Sequence, residues 1–522
     1  MASSLLVIIS ITIAIGIYFL DSFLNIPHDP REPALISPRV PWVGHVINLL
    51  RYGTEYYSQI AKKCNKPIFT LNLPRAKMYV ITSPSLVAAC DRCARTISFS
   101  PYVVAFAERI MNASQASIDL LSVDLLEDGG RENLRLETTK AMHESLKGSD
   151  LNGMMQGLLR EMLHFLDSED SINDRGGAPL FNSIRRFMSI VSTQALYGRD
   201  NPMQYLETID DFWMVDKYFG PLAVNLVPKL IVPRASRARE RFFNALDRFY
   251  SCGGLEDASR FIKARYVVNK KYCVENKDIA HFDLGVCTAL LVNTVPAVSW
   301  MLFYAFSNKT ILARLRQEIE ACITIGDSTH ERSTTSINIP QVIKAVPLLE
   351  SFVKEVLRVQ SHGSSARLVL EDTFINDTDG KTYFLKKNSF LTMPSALVHG
   401  SEAGWGPHAK EFNASRFLES QDNVKVTASS YRVFGGGRAI CPGRHLAMNM
   451  MMSLLVVMIL RYDIQPLEGD WMKPMLKNHI STSFLMPVKD VWVHIQPREQ
   501  RNKWDFVWDI KRLSQGIEQE DS

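Results

Sequence analysis

The stretch on which the reading of this chain turns is Phe434-Gly435-Gly436-Gly437-Arg438-Ala439-Ile440-Cys441-Pro442-Gly443-Arg444. Three consecutive glycines permit positive φ and let a flat group approach the backbone closely. A cysteine follows almost at once, and Pro442 suits the first position of a helix. Residues 443 to 461 then continue as an apolar run rich in Leu, Met and Val, which reads as a buried helix. The Cys441 thiol is therefore expected at the positive end of a helix dipole, which favours the thiolate. A thiolate held this way is a suitable axial ligand for iron. A dinucleotide loop would need Gly-x-Gly-x-x-Gly between a strand and a helix, and a phosphate loop would need Gly-Lys-Ser/Thr. Neither is present. A buried structural cysteine is the remaining alternative.

Working outward, Glu355-Val356-Leu357-Arg358 places an acid and a base at i and i+3 on one helix face. Alone, such a pair is usually a surface ion pair. Phe412-Asn413-Ala414-Ser415-Arg416-Phe417 adds a second arginine, and Arg367 stands nine positions after Arg358. Residues 279 to 307 form a long apolar stretch containing Val292-Asn293-Thr294-Val295-Pro296-Ala297. Pro296 cannot donate to the Val292 carbonyl, so the helix is expected to open there. Asn293 and Thr294 at the opening read in two ways: a polar step in a core helix, or groups presented to a ligand on a metal.

Together these segments resemble the cytochrome P450 family. Phe434, Gly437, Cys441 and Gly443 match its haem-binding signature position for position: Phe, two residues, Gly, three residues, Cys, one residue, Gly. The resemblance implies haem b with Cys441 as the thiolate ligand to iron. It implies cofactor contacts from Phe434, Gly437, Arg438, Gly443 and Arg367, and catalytic roles for Asn293 and Thr294. It makes Glu355, Arg358 and Arg416 a structural charge triad behind the haem, with His399 and Trp405-Gly406-Pro407 as structural lead-in.

The chain departs from the pattern in three places. Ala414 replaces the proline of Phe-x-Pro-x-Arg-Phe. Ala439 stands where most relatives carry Arg or His for a haem propionate, which gives Arg367 more weight. No clean Trp-x-x-x-Arg is found, and Arg131 and Arg135 are the nearest candidates. The Asn-Thr-x-Pro pattern, without the usual acid before Thr, resembles the branch holding cholesterol 7α-hydroxylase and prostacyclin synthase. Some of that branch hydroxylate with dioxygen and two electrons; others rearrange a peroxide.

The implied function is a monooxygenase oxidising a lipophilic terpenoid, polyketide or steroid-like substrate, as in secondary-metabolite biosynthesis by similar filamentous-fungal members. Electrons would come from NADPH through NADPH-cytochrome P450 reductase, with cytochrome b5 a further candidate partner. The alternative is a reductase-independent haem-thiolate isomerase or dehydratase. A non-catalytic haem sensor or carrier is the third reading.

Elsewhere the spacing predicts one mainly α domain with small β-sheets, and the resemblance implies the cytochrome P450 fold, a single large catalytic domain over 47–497. Amphipathic helices are expected over 155–166, 235–250 and 311–325, and strands over 67–73, 78–81, 390–393 and 491–495. A frayed polar tail is expected over 498–522.

Leu5 to Leu20, LLVIISITIAIGIYFL, is uncharged and apolar. This makes residues 1–24 a membrane anchor, an N-terminal transmembrane helix. Residues 25–46, with five prolines, read as a stiff hinge. Arg31 and Arg39 follow the span, so a single-pass protein of the endoplasmic reticulum membrane with its catalytic domain facing the cytosol is expected. The asparagine sequons, Asn413 among them, would then stay bare. A net charge of +4 is too mild for nucleic-acid binding but suits a membrane surface or an acidic partner. Eight cysteines in 522 residues make no disulfide scaffold, and Cys90-x-x-Cys93 lacks a second pair for zinc.

Overall fold

The most apolar stretches of the chain become its innermost helices. In the computed structural model, which describes residues 23–24, 26–38, 40–41, 43–126, 130, 132–168, 177–324, 335–418, 426–477, 479–499 and 504–510, these are Asn276–Leu291, Thr294–Ser307 and Arg444–Arg461. By length and hydropathy the 276–307 stretch and Arg444–Arg461 could each cross a membrane, yet 78% and 72% of their apolar windows are buried inside the protein. Helices hydrophobic all round are here explained by packing in a large core. Thr294–Ser307 packs against Leu180–Tyr197, Pro347–Gln360, Lys309–Thr324 and Arg444–Arg461. Trp300 is fully buried at this crossing, edge-on to Phe181 and Phe303, and its Nε1–H donates to the Leu485 carbonyl at 2.7 Å.

The expected helices are present as Gly148–Ser168, Pro233–Ser251 and Lys309–Thr324, and the expected strands as Ile68–Leu73, Ala76–Ile81, Phe390–Pro394 and Trp492–Pro497. The largest sheet has six strands, in the order Leu35–Ile36, Ile68–Leu73, Ala76–Ile81, Phe390–Pro394, Ser364–Val369 and Ile97–Ser98. Its register places Arg367 opposite Leu391. The protein is thus mainly helical with small sheets, as the sequence predicts.

Two expectations are corrected, and the stiff hinge expected over 25–46 is in part stitched to the sheet. Leu35–Ile36 pairs in parallel with Thr70 and Leu71, and Thr70 Oγ1 donates to Pro33 O at 2.6 Å. The Glu32 carboxylate, 5% exposed, accepts from Lys77 Nζ at 2.6 Å and Tyr79 Oη at 2.7 Å. Removing any one of these buried partners would strand the others, so the segment is held.

The tail does not fray immediately after Pro497. Trp504–Val507 pairs in parallel with Thr335–Asn338, burying Trp504, Phe506 and Trp508. Three buried aromatic residues outweigh the polar composition around them. Finally, the helix after the cysteine begins at Arg444 with Gly443 as its N-cap, two residues later than Pro442 suggested. The anchor lies outside the described residues apart from Phe23 and Leu24; Arg39 and Arg131 also lie outside them.

Candidate functional site

A few main-chain bonds build the turn that carries Cys441. The Gly435 N–H donates to Arg432 O at 3.0 Å, and the Cys441 N–H returns to Phe434 O at 2.9 Å. Gly435 and Gly437 have φ of +74° and +58°, which glycine adopts without strain. Gly436 is extended and is glycine for another reason: a Cβ there would lie 1.7 Å from Nη1 of Arg432. One close approach to this backbone is therefore made by the protein's own side chain. Phe434 is half-buried against the main core, whereas Gly437 and Arg438 are exposed.

Cys441 is a free, half-buried thiol. Burial pushes the thiol up, while a hydrogen bond from the Gly443 backbone and the charge of Arg444 pull it down. A bound metal ion deprotonates a coordinating thiol outright. Among the described residues, no three His, Cys, Asp or Glu side chains gather where they could hold a metal ion. An ion at Cys441 must bring its remaining ligands with it, and this one-thiol donor set fits a porphyrin-bound iron.

Behind the turn, Glu355, Arg358 and Arg416 come together. Arg358 lies on Pro347–Gln360, 2% exposed beside a fully buried Glu355. Its five N–H donors all find acceptors. Nε and Nη2 bind the two Glu355 carboxylate oxygens at 2.8 Å each. Nη1 binds His399 O and Ala409 O, and Nη2 also binds Glu411 O. Arg416 Nε donates to Glu355 Oε1 at 3.0 Å, and the Asn413 N–H donates there too, at 2.9 Å. The guanidinium of Arg358 lies 4.9 Å from the Trp405 ring centroid. Ala414, in the family's proline position, still gives its carbonyl to Ser351 Oγ at 2.7 Å.

His399 connects this network to the cysteine turn. Its Nε2 accepts the Arg432 N–H at 2.8 Å, so Nδ1 carries the proton and donates to Arg358 O at 3.0 Å. Burial, and then the Arg358 charge, push its pKa down to about 3, which keeps the ring neutral.

Arg367 reaches the same turn from its strand. Its Nη2 lies 3.4 Å from Gly436 O, and Nη1 donates to Ala366 O at 2.7 Å. Burial, followed by the Arg432 charge, pushes its pKa down to about 10. Arg432 was not singled out from sequence. It is 2% exposed and pairs with Asp91 Oδ2 at 2.5 Å, while its Nε is buried with no partner. The available signal was a charge inside the otherwise apolar and aromatic lead-in Tyr431-Arg432-Val433-Phe434. Arg135, a propionate candidate, clasps a loop by donating to Leu121 O, Val123 O and Asp124 O.

The long core helix opens at Val292 and Asn293, as Pro296 predicts. Asn293 Oδ1 accepts the Ser483 N–H at 2.8 Å, which fixes the amide's orientation. Thr294 is buried at the start of the helix that packs against Arg444–Arg461.

Comparison with known proteins agrees with this geometry. The family model described as Cytochrome P450 matches residues 35–493. The chain is 30% identical over 512 residues to the cytochrome P450 monooxygenase nodJ of Hypoxylon pulicicidum, spanning 96% of this chain and 97% of the relative. It is 26% identical over 489 residues to a cytochrome P450 monooxygenase of Gibberella zeae, spanning 91% and 90%. A cholesterol 7-alpha-monooxygenase of Cricetulus griseus is 23% identical over 391 residues, spanning 71% and 76%.

Proposed function

The chain belongs to the cytochrome P450 family of monooxygenases, enzymes that carry haem on an axial cysteine thiolate, and from that premise we propose that Cys441 is the iron ligand of a membrane-anchored enzyme oxidising a lipophilic substrate. Haem b, when bound, would supply an iron that activates dioxygen, one oxygen atom entering the substrate and the other leaving as water with two electrons from the reductase and two protons from solvent. The observation that carries the reading is the half-buried Cys441 thiol in a turn closed on Phe434 O, with no competing metal-ligand cluster among the described residues.

The other residues have narrower tasks. Phe434, Gly437 and Gly443 shape the turn, and Arg367 and Arg438 offer positive charge near it. Glu355, Arg358 and Arg416 hold the backbone behind the turn. Because Asn293 accepts from Ser483, it offers N–H donors to the opening of the helix rather than an acid. The Thr294 hydroxyl is left as the group there that can both accept and pass a proton. The substrate is terpenoid, polyketide or steroid-like, and relatives named as a 25-hydroxycholesterol 7-alpha-hydroxylase and a cholesterol 7-alpha-monooxygenase support the steroid-like class. Residues 1–24 anchor the chain in the endoplasmic reticulum membrane, where a flavoprotein reductase, with cytochrome b5 as a second donor, passes electrons from NADPH.

Two measurements test this. The reduced protein under carbon monoxide is expected to show the red-shifted Soret band of a thiolate-ligated haem, and Cys441→Ser to lose it while remaining folded. Turnover of a lipophilic panel is expected to require NADPH and reductase and to place label from isotopic dioxygen in the product. Product formation with neither NADPH nor reductase would instead identify an isomerase or dehydratase.

A further inference from the structure

Two guanidinium groups meet the backbone at Gly436, five residues before Cys441. Arg432 lies so close that a Cβ at 436 would sit 1.7 Å from its Nη1, and Arg367 Nη2 is 3.4 Å from the Gly436 carbonyl. The two arginines are 2% and 7% exposed. Arg432 is paired with Asp91 through Nη1 at 2.5 Å and Nη2 at 3.5 Å, whereas Arg367 bonds only main-chain carbonyls, Ala366 O and Gly436 O. Nε of Arg432 is buried with no partner. Neither guanidinium approaches the complete bonding of Arg358, whose five donors are all used.

Buried charge is retained at low cost only when it is paired and hydrogen-bonded. Here two neighbouring cations have one carboxylate between them, bonded to Arg432 alone, and their N–H donors outnumber the acceptors they bond. The shortfall is one of anionic acceptors. It lies beside the turn that bears Cys441, in a chain with Ala439 where the family resemblance implies a basic residue.

We infer that Arg432, together with Arg367, grips a haem propionate and replaces the cation missing at position 439. The inference rests on the haem-thiolate reading of Cys441. Asp91 then serves as a counter-charge that keeps Arg432 aimed at the turn before the cofactor arrives, and it competes with the propionate for the same guanidinium. This gives the two partners of one ion pair opposite effects on haem retention, which a purely structural clamp would not do.

The test measures the rate at which the purified holoenzyme loses haem to excess apomyoglobin, for the parent protein, Arg432→Met, Arg432→Lys and Asp91→Asn. Arg432→Met is expected to release haem roughly ten- to a hundredfold faster, the scale of one charge-assisted hydrogen bond. Arg432→Lys should recover part of the loss, and Asp91→Asn should release haem more slowly than the parent. Equal acceleration by Arg432→Met and Asp91→Asn would overturn the inference, because the pair would then be a clamp. An unchanged rate in Arg432→Met would overturn it as well. If Arg432→Met does not fold, the Lys and Asn variants still decide by their opposite expected behaviour. The carbon monoxide band of the parent separates the two levels: its absence sinks the thiolate reading, while its presence with unmoved release rates sinks only this one.

Discussion

Two buried charge clusters flank the cysteine turn, and each contains two arginines and one acid. In the Glu355–Arg358–Arg416 cluster the excess positive charge is absorbed by main-chain carbonyls, and every donor of Arg358 is bonded. In the Arg367–Arg432–Asp91 cluster one Nε has no partner, and a carbonyl is reached only at 3.4 Å. Counting charges would call the two equivalent. Counting satisfied donors separates a finished piece of architecture from a place that is short of an acceptor. His399 joins them, with one ring nitrogen on each side.

The comparison can be broken most forcefully at the finished cluster. Arg358→Ala leaves Glu355 buried without its strongest partner and releases three carbonyls, so a loss of about 3–5 kcal/mol is expected. The yield of soluble, haem-replete protein measures it, and a normal yield would contradict the architectural role. Gly436→Ala attacks the other cluster through sterics. The new methyl must displace Arg432, and a reduced haem-to-protein ratio with largely retained helical circular dichroism is expected.

His399 sharpens the link between the clusters through pH. Its pKa is depressed in the folded protein, so the neutral ring stabilises the fold above the ordinary histidine range. That contribution is lost as pH falls from about 6.5 toward about 3, because the unfolded chain then binds the extra proton. His45, His281 and His362 are depressed in the same direction. His399→Gln should therefore reduce, but not abolish, the slope of urea stability against pH between 6 and 4, two values inside that histidine window. An unchanged slope would show that the ring does not couple the two networks. The smallest effect is expected at the surface pair Lys354–Glu350, on the same helix as Arg358 but with side chains 33% and 46% exposed. Glu350→Gln should change stability by less than about 0.5 kcal/mol, which sets the baseline against which the buried clusters are judged.

The legible parts of the site were those whose chemistry is local in the chain. Cys441 and its glycines lie within a few residues of one another, and Glu355 and Arg358 are one helical turn apart. Pro296 opens its helix by lacking an N–H, a property of the residue itself. Arg432 and Asp91 escaped notice because 341 positions separate them and only the fold makes them neighbours. The segment after Pro497 was misread, and the attachment of the proline-rich hinge went unseen, for a related reason. Composition marks 27–41 as proline-rich and the segment after 497 as polar, but Glu32 finds Lys77 and Tyr79, and Trp504–Val507 finds a partner strand.

Periodicity and proline were enough to specify a mainly helical protein, and the spacing around Cys441 carried its resemblance to a haem-thiolate family, since each depends on bonds and steric limits within a few residues. Donor satisfaction and the pairing of segments 32–36 and 504–507 with distant strands depend instead on which groups are driven out of water together. That is a property of packing between distant segments, and no local pattern encodes it.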